Sequence, residues 1–139
     1  SLQGNRAIEG GQLEAMKNGS FPSPLLNYKE MGTALALGEK QKVGGKDAFV
    51  LTMTPKAGPP TRLFIDAESF MLVRTTVTLN VPQLGGDIEQ VVDFSDFRDV
   101  DGIKIPFTTK SSNPAQTVTA TMTSVKHNAD IDDASFSKP

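Results

Sequence analysis

The 139-residue chain has no cysteine, no tryptophan, one tyrosine (Tyr28) and one histidine (His127). Without cysteine there is no disulfide, no thiolate-held metal and no cysteine nucleophile. A lone histidine excludes zinc sites built from several, such as H-x-x-E-H, within this chain. A Ser-His-Asp triad would still be open to His127, but the sequence has no G-x-S-x-G elbow, so His127 reads as a solvated residue at a strand end. Also missing is any apolar run near the roughly 18 residues that a helix needs to span a bilayer. Charge of one sign is not in excess: 14 basic residues stand against 16 acidic ones, a net charge of −2. Dispersed basic residues with almost no Tyr or Trp argue against a nucleic-acid partner.

What is present is the composition of one globular domain, 37% hydrophobic and 22% charged, with 12 Gly and 9 Pro. Threonine-rich alternation favours a β-dominated fold. The strongest local signal is VVDFSDFRDVDGIKIPF at Val91–Phe107. Asp101-Gly102 suits a two-residue type I′ turn, which needs positive φ at both central residues. That turn sets Val100 opposite Ile103, Asp99 opposite Lys104 and Phe97 opposite Pro106. Val100, Ile103, Ile105 and Phe107 then share a face with Ile88, Val92 and Phe94. Asp96 and Arg98 interrupt it, and a bulge between Phe94 and Phe97 is expected.

In chain order, residues 1–10 read as a loose arm. SLQGNRAIEGG lacks an initiator Met, so a trimmed start with Ser1 as a vector scar is expected. Short helices are expected over Gly11–Asn18, with Leu13 and Met16 on one face, and from Ser23-Pro24 through Tyr28–Met31 to Gly32. From Thr33 the period becomes two. Leu35 and Leu37 point one way, and Gly44-Gly45 turns the chain so that Lys42 meets Asp47. Asp47–Thr54 is apolar on both faces, as in a central strand or one covered by a helix. Further strands are expected at Arg62–Asp66, Phe70–Val81 (Met71, Val73, Val77 and Leu79 on one side), Asp87–Arg98, Ile103–Lys110 and Gln116–Lys126. PKAGPP at Pro55–Pro60 is a loop, and Asp66–Ser69 a tight turn. The count is seven strands with short connections. This gives a curved antiparallel meander sheet or an unclosed β-barrel, an α+β fold with the short N-terminal helices on its concave face. In the tail, one helical turn over Asp132–Phe136 is expected, with Ile131 and Phe136 buried against the sheet.

No stretch carries a catalytic or cofactor pattern. The acidic groups Asp93, Asp96, Asp99, Asp101 and Asp130, Asp132, Asp133 lack EF-hand spacing and read as turn and capping residues rather than a calcium site. The glycine pairs at 10–11, 44–45 and 85–86 match no phosphate-binding pattern. No metal and no cofactor is expected.

Five stretches resemble a bacterial superfamily, the outer-membrane lipoprotein-sorting (LolA/LolB-like) proteins, and in particular relatives found beside or fused to insulinase-type zinc peptidases. They are LLNYKEMG (Leu25–Gly32), KVGGKDAFVLTMTPKAG (Lys42–Gly58), LFIDAESFMLVR (Leu63–Arg74), FSDFRDVDGIKIPF (Phe94–Phe107) and VKHNADIDDASFSKP (Val125–Pro139). The pairing of the hairpin with an N-x-x-I-x-x-x-x-F-x-x-P tail is the most specific part. All five are turn and core signatures. The resemblance implies an antiparallel sheet rolled into an unclosed barrel, with helices as a lid over an apolar cavity. It also implies a non-enzymatic periplasmic carrier of acyl chains, with its signal peptide removed. Full carriers have further N-terminal strands and a longer helix, so this chain is expected to be a single domain over 1–139 or the C-terminal portion of a larger one. No functional residue of the carriers finds a match here, and none is carried over.

The candidate ligand-binding residues are therefore the apolar ones: Leu13, Met16 and Leu26 on the helical segments, and Leu35, Leu37, Phe49, Leu51, Leu63 and Ile65 on the strands. Phe21, Leu25, Met53, Met71 and Val73 belong to the same apolar excess. They either fill an ordinary core or line an apolar groove for a lipid, acyl chain or lipidated protein. The expected partners follow: a lipid or lipoprotein, with membrane contact at most peripheral, or an envelope protein if the domain is a ligand-free accessory of an envelope complex or peptidase.

Overall fold

The computed structural model describes residues 25–81 and 86–132. They form eight strands: β1 (Ala34–Leu37), β2 (Gln41–Val43), β3 (Lys46–Thr54), β4 (Thr61–Asp66), β5 (Leu72–Val81), β6 (Gly86–Val100), β7 (Ile103–Ser112) and β8 (Thr117–Thr121). All pair antiparallel in one sheet ordered β1-β3-β4-β5-β6-β7-β8, with β2 alongside β3. Among the described residues the sheet does not close into a barrel, because β1 and β8 remain at opposite ends of this order.

The expected first strand splits in two. β1 pairs the second half of β3 and β2 pairs its first half, while the Gly38 N–H donates to the Val50 carbonyl between them at 2.8 Å. With β4 on its other side, β3 is central, as its two apolar faces require. Gly44 and Gly45 (φ 57° and 84°) make the β2–β3 turn, and Lys42 meets Asp47 at 2.9 Å. That contact holds the Asp47 carboxyl below its usual range, first through its hydrogen bond and then through the charge of Lys42.

No helix is present among the described residues. The helix expected through Tyr28–Met31 is instead a turn segment. Its end is nevertheless helix-like: the Gly32 N–H (φ 65°) donates to the Lys29 carbonyl at 3.0 Å, and the Thr33 N–H to the Tyr28 carbonyl at 2.7 Å. This is a Schellman closure on a segment too short to propagate a helix. The helix expected over Gly11–Asn18 lies outside the described residues.

The β4–β5 turn is built on Asp66, whose buried carboxylate Oδ1 accepts the Ser69 hydroxyl and amide (both 2.7 Å) and the Glu68 amide (3.2 Å). These bonds, the Ser69 hydroxyl foremost, hold its pKa below the ordinary carboxylate value. β5 begins at Leu72 rather than Phe70, because Phe70 has φ 57°. A bulge follows: Phe64 pairs with Arg74 but Ile65 with Leu72, leaving Val73 extra. Bulged residues break the alternation. Leu72 thus joins the face of Val77 and Leu79, while Val73 turns to the reverse face and packs on the cluster of Ala48, Val50 and Phe64. This corrects the single side expected for Met71, Val73, Val77 and Leu79.

The β6–β7 hairpin has the expected register, with Val100, Asp99 and Phe97 opposite Ile103, Lys104 and Pro106. Asp101 and Gly102 have φ 53° and 82°, the two positive values of a type I′ turn. No residue is inserted at the expected bulge. Ser95 still faces Thr108 and Phe97 faces Pro106, and Asp96 between them takes φ 54°. Replacing Gly102 with Val isolates this backbone demand, since an added Cβ meets nothing within 4 Å. We expect Gly102→Val to destabilise by about 1–3 kcal/mol in urea titrations, all of it conformational strain. An unshifted midpoint would contradict the turn assignment.

β8 is shorter than the expected Gln116–Lys126. Its last ladder bond runs from the Met122 N–H to the Phe107 carbonyl at 2.8 Å. Beyond it the chain is irregular, and His127 Nδ1 lies 3.0 Å from Asp101 Oδ2 at the hairpin turn. Ile131 is 64% exposed, so it does not dock on the sheet as expected: the chain carrying it has already left the strand ladder. Phe136 lies outside the described residues.

Candidate functional site

Directly opposed residues of neighbouring strands share a face. The pairs Leu35–Met53, Leu37–Leu51, Leu51–Leu63, Phe49–Ile65 and Ile65–Leu72 therefore gather on one face of β1, β3, β4 and β5. Leu79–Ile88 and Thr75–Val92 extend it onto β6, and Val100–Ile103 to the end of the hairpin. All the strand residues singled out from the sequence, Leu35, Leu37, Phe49, Leu51, Leu63 and Ile65, lie on it. Leu26 does not: it is 78% exposed on the turn segment ahead of β1. Leu13 and Met16 lie outside the described residues. Most of this face is only half-buried, and no large side chain among the described residues is fully buried.

Asp96 and Arg98 interrupt the face as an ion pair of 2.6 Å. The hydrogen bond between them lowers the Asp96 pKa and raises that of Arg98. The Arg98 guanidinium also lies 4.3 Å from the centre of the Phe107 ring, covering that ring where the face would otherwise be bare.

A groove opens where β5 parts from β6. Their last rung is Arg74–Asp93, fastened by a half-buried Nε–Oδ1 contact of 2.6 Å. Beyond it β6 pairs with β7 alone. Phe70, Met71 and Leu72 on one side, and Phe94, Phe97 and Pro106 with Lys104 on the other, line a space of about 240 Å³. Phe70 joins this groove to the apolar face. Its ring stacks on Phe49 with centroids 6.5 Å apart and planes 7° from parallel, and Lys40 Nζ lies 4.6 Å from the Phe49 centroid. Yet Phe70 is 69% exposed. Its positive φ is the left-handed residue that four-residue hairpin loops commonly need, a place suited to glycine or asparagine.

Sequence reasoning missed Phe70, Phe94, Phe97, Lys104 and Pro106 as one site. The legible signal was the D-A-E-S-F turn, which puts an aromatic where the loop geometry favours glycine. The carboxylates of the hairpin are each engaged separately: Asp93 with Arg74, Asp96 with Arg98, Asp99 with Lys104 and the Gly102 amide, Asp101 with His127. No group of three or more metal-ligating side chains converges among the described residues.

No family model matches the chain, and no curated protein matches it. Among solved structures it is similar to a domain from Vibrio parahaemolyticus described as a "putative outer membrane lipoprotein-sorting protein domain". Identity is 16% and the TM-score 0.48, over 69% of this chain and 45% of that one. The chain thus spans less than half the length of that structure.

Proposed function

We propose that the chain is a non-enzymatic binding module of the bacterial periplasm that takes an acyl chain, of a lipid or a lipidated protein, on its apolar face. The observation that carries this reading is the face itself: apolar across β1, β3, β4 and β5, half-open to solvent, and joined through an exposed Phe70 to a groove. Contiguous exposed apolar surface marks interaction sites in folded proteins. Binding would be driven by desolvation, about 0.8 kcal/mol for each methylene removed from water. The family resemblance of the turn and core signatures supports the same reading. A protein partner is the second reading, favoured by the ends of the sheet, where β1 and β8 have a free edge among the described residues.

Native mass spectrometry of protein gently extracted from cells, with displacement of a fluorescent fatty acid, tests the first reading. A co-purifying lipid mass and saturable displacement support it. A bare protein mass with no displacement overturns it, and a stoichiometric protein partner in its place favours the second.

Phe70→Gly gives a sharper test. Glycine relieves the left-handed strain, a gain that offsets the lost stacking on Phe49, so stability should stay within about 1 kcal/mol of the parent. Acyl binding should fall about tenfold or more, because burying a phenylalanine ring is worth about 1.5–3 kcal/mol. Unchanged affinity would place the ligand away from Phe70.

A further inference from the structure

Lys104 is the one charged residue in the lining of the groove; the other lining residues are aromatic or apolar. Its ammonium is only loosely held. Nζ lies 3.6 Å from Asp99 Oδ2, beyond ordinary hydrogen-bond length. Asp99 is drawn the other way, since its Oδ1 accepts the Gly102 amide of the hairpin turn at 3.0 Å. An ammonium has three donors, so Lys104 retains capacity for a further acceptor. Ion pair and groove also differ in place: Asp99 is not among the lining residues, whereas Lys104 is.

The geometry points to a single-chain amphiphile with a carboxylate head, a free fatty acid, as the ligand of this groove, its alkyl chain against Phe70, Leu72 and Phe94 and its head on Lys104. This rests on the acyl-binding reading and narrows it. Two features choose this occupant. The space of about 240 Å³ is small, matching one alkyl segment better than the paired chains of a phospholipid. A single cation, held only loosely by Asp99, balances one negative charge at most, which a carboxylate carries and a phosphate monoester exceeds.

The test compares dodecanoate, dodecanol and dodecyl phosphate as competitors for an uncharged hydrophobic dye. It uses the parent chain, Lys104→Met, which keeps the apolar stem, and Asp99→Asn, which keeps the acceptor for Gly102. Dodecanoate should bind more tightly than dodecanol, and the advantage should shrink with added salt. Lys104→Met should weaken dodecanoate about three- to tenfold while leaving dodecanol within about twofold. Asp99→Asn, by removing the competing charge, should tighten dodecanoate. Equal binding of acid and alcohol, unmoved by Lys104→Met, overturns the head-group assignment and leaves acyl binding standing. Tighter binding of dodecyl phosphate overturns the choice of a carboxylate. If no alkyl compound displaces the dye, acyl binding itself fails and this inference with it. Urea midpoints for both variants separate lost binding from lost folding.

Discussion

Phe107→Ala is expected to lower the unfolding free energy by about 3–5 kcal/mol, read from the urea midpoint at unchanged slope. Phe107 is 5% exposed on β7. Both the ring and the backbone of Phe107 are engaged. The Arg98 guanidinium lies over it at 4.3 Å, and its own carbonyl accepts the last β8 bond from Met122. Removing the ring leaves a cavity in a hairpin that continues past β5 with β7 as its only strand partner for β6, so little is positioned to collapse into the gap. It also uncovers Arg98, whose cation–π contact is worth about 0.5–2 kcal/mol. Arg98→Ala should therefore cost clearly less than Phe107→Ala, and the double variant less than the sum of the two, since they share one contact. A loss below about 1 kcal/mol for Phe107→Ala would mean the ring is not held by the fold.

The contrast between Phe107 and Phe70 shows what could be read from the sequence. Phe107 is placed by simple alternation from the Asp101-Gly102 turn, because a two-residue loop fixes register and register fixes faces. The same alternation sets Leu35, Leu37, Phe49, Leu51, Leu63 and Ile65 on one face. Alternation fails where the chain stops being regular. The bulge at Val73 inverts the faces of early β5, and nothing in the string FMLVR marks which residue is extra. Phe70 reads as the first residue of a strand, yet the three bonds accepted by Asp66 close the loop in a way that leaves Phe70 left-handed. The groove depends on both irregularities and on β6 outlasting β5, a property of paired lengths that no single strand reveals. The tail misled for a related reason: Ile131 looks like an anchor by spacing, but β8 ends at Thr121 and carries no ladder on to Ile131.

Phe64→Ala should cost a similar 3–5 kcal/mol, for a reason belonging to the opposite side of the sheet. Phe64 is 4% exposed, faces Val50 directly across β3–β4, and shares the reverse-face cluster with Ala48, with Val43 and Val73 packed against it. Arg62 lies 5.0 Å from its ring, where its guanidinium shields the cluster from water. Truncation empties the centre of that cluster, and Phe64→Leu should recover much of the loss by refilling it. Because Phe64 packs in the reverse-face cluster while Phe70 stacks on Phe49 of the apolar face, the two should be thermodynamically independent. A ligand that binds only the folded state adds about 2.7 kcal/mol at a hundredfold excess over its Kd. Dodecanoate at that excess should therefore stabilise Phe64→Ala by the same increment as the parent. Phe70→Gly, at the same ligand concentration, should gain much less. Equal increments in parent and Phe64→Ala with a smaller one in Phe70→Gly would assign the reverse face to folding and the apolar face to binding. A reduced increment in Phe64→Ala would show that the two faces are coupled through β4, and the division of labour between them would have to be abandoned.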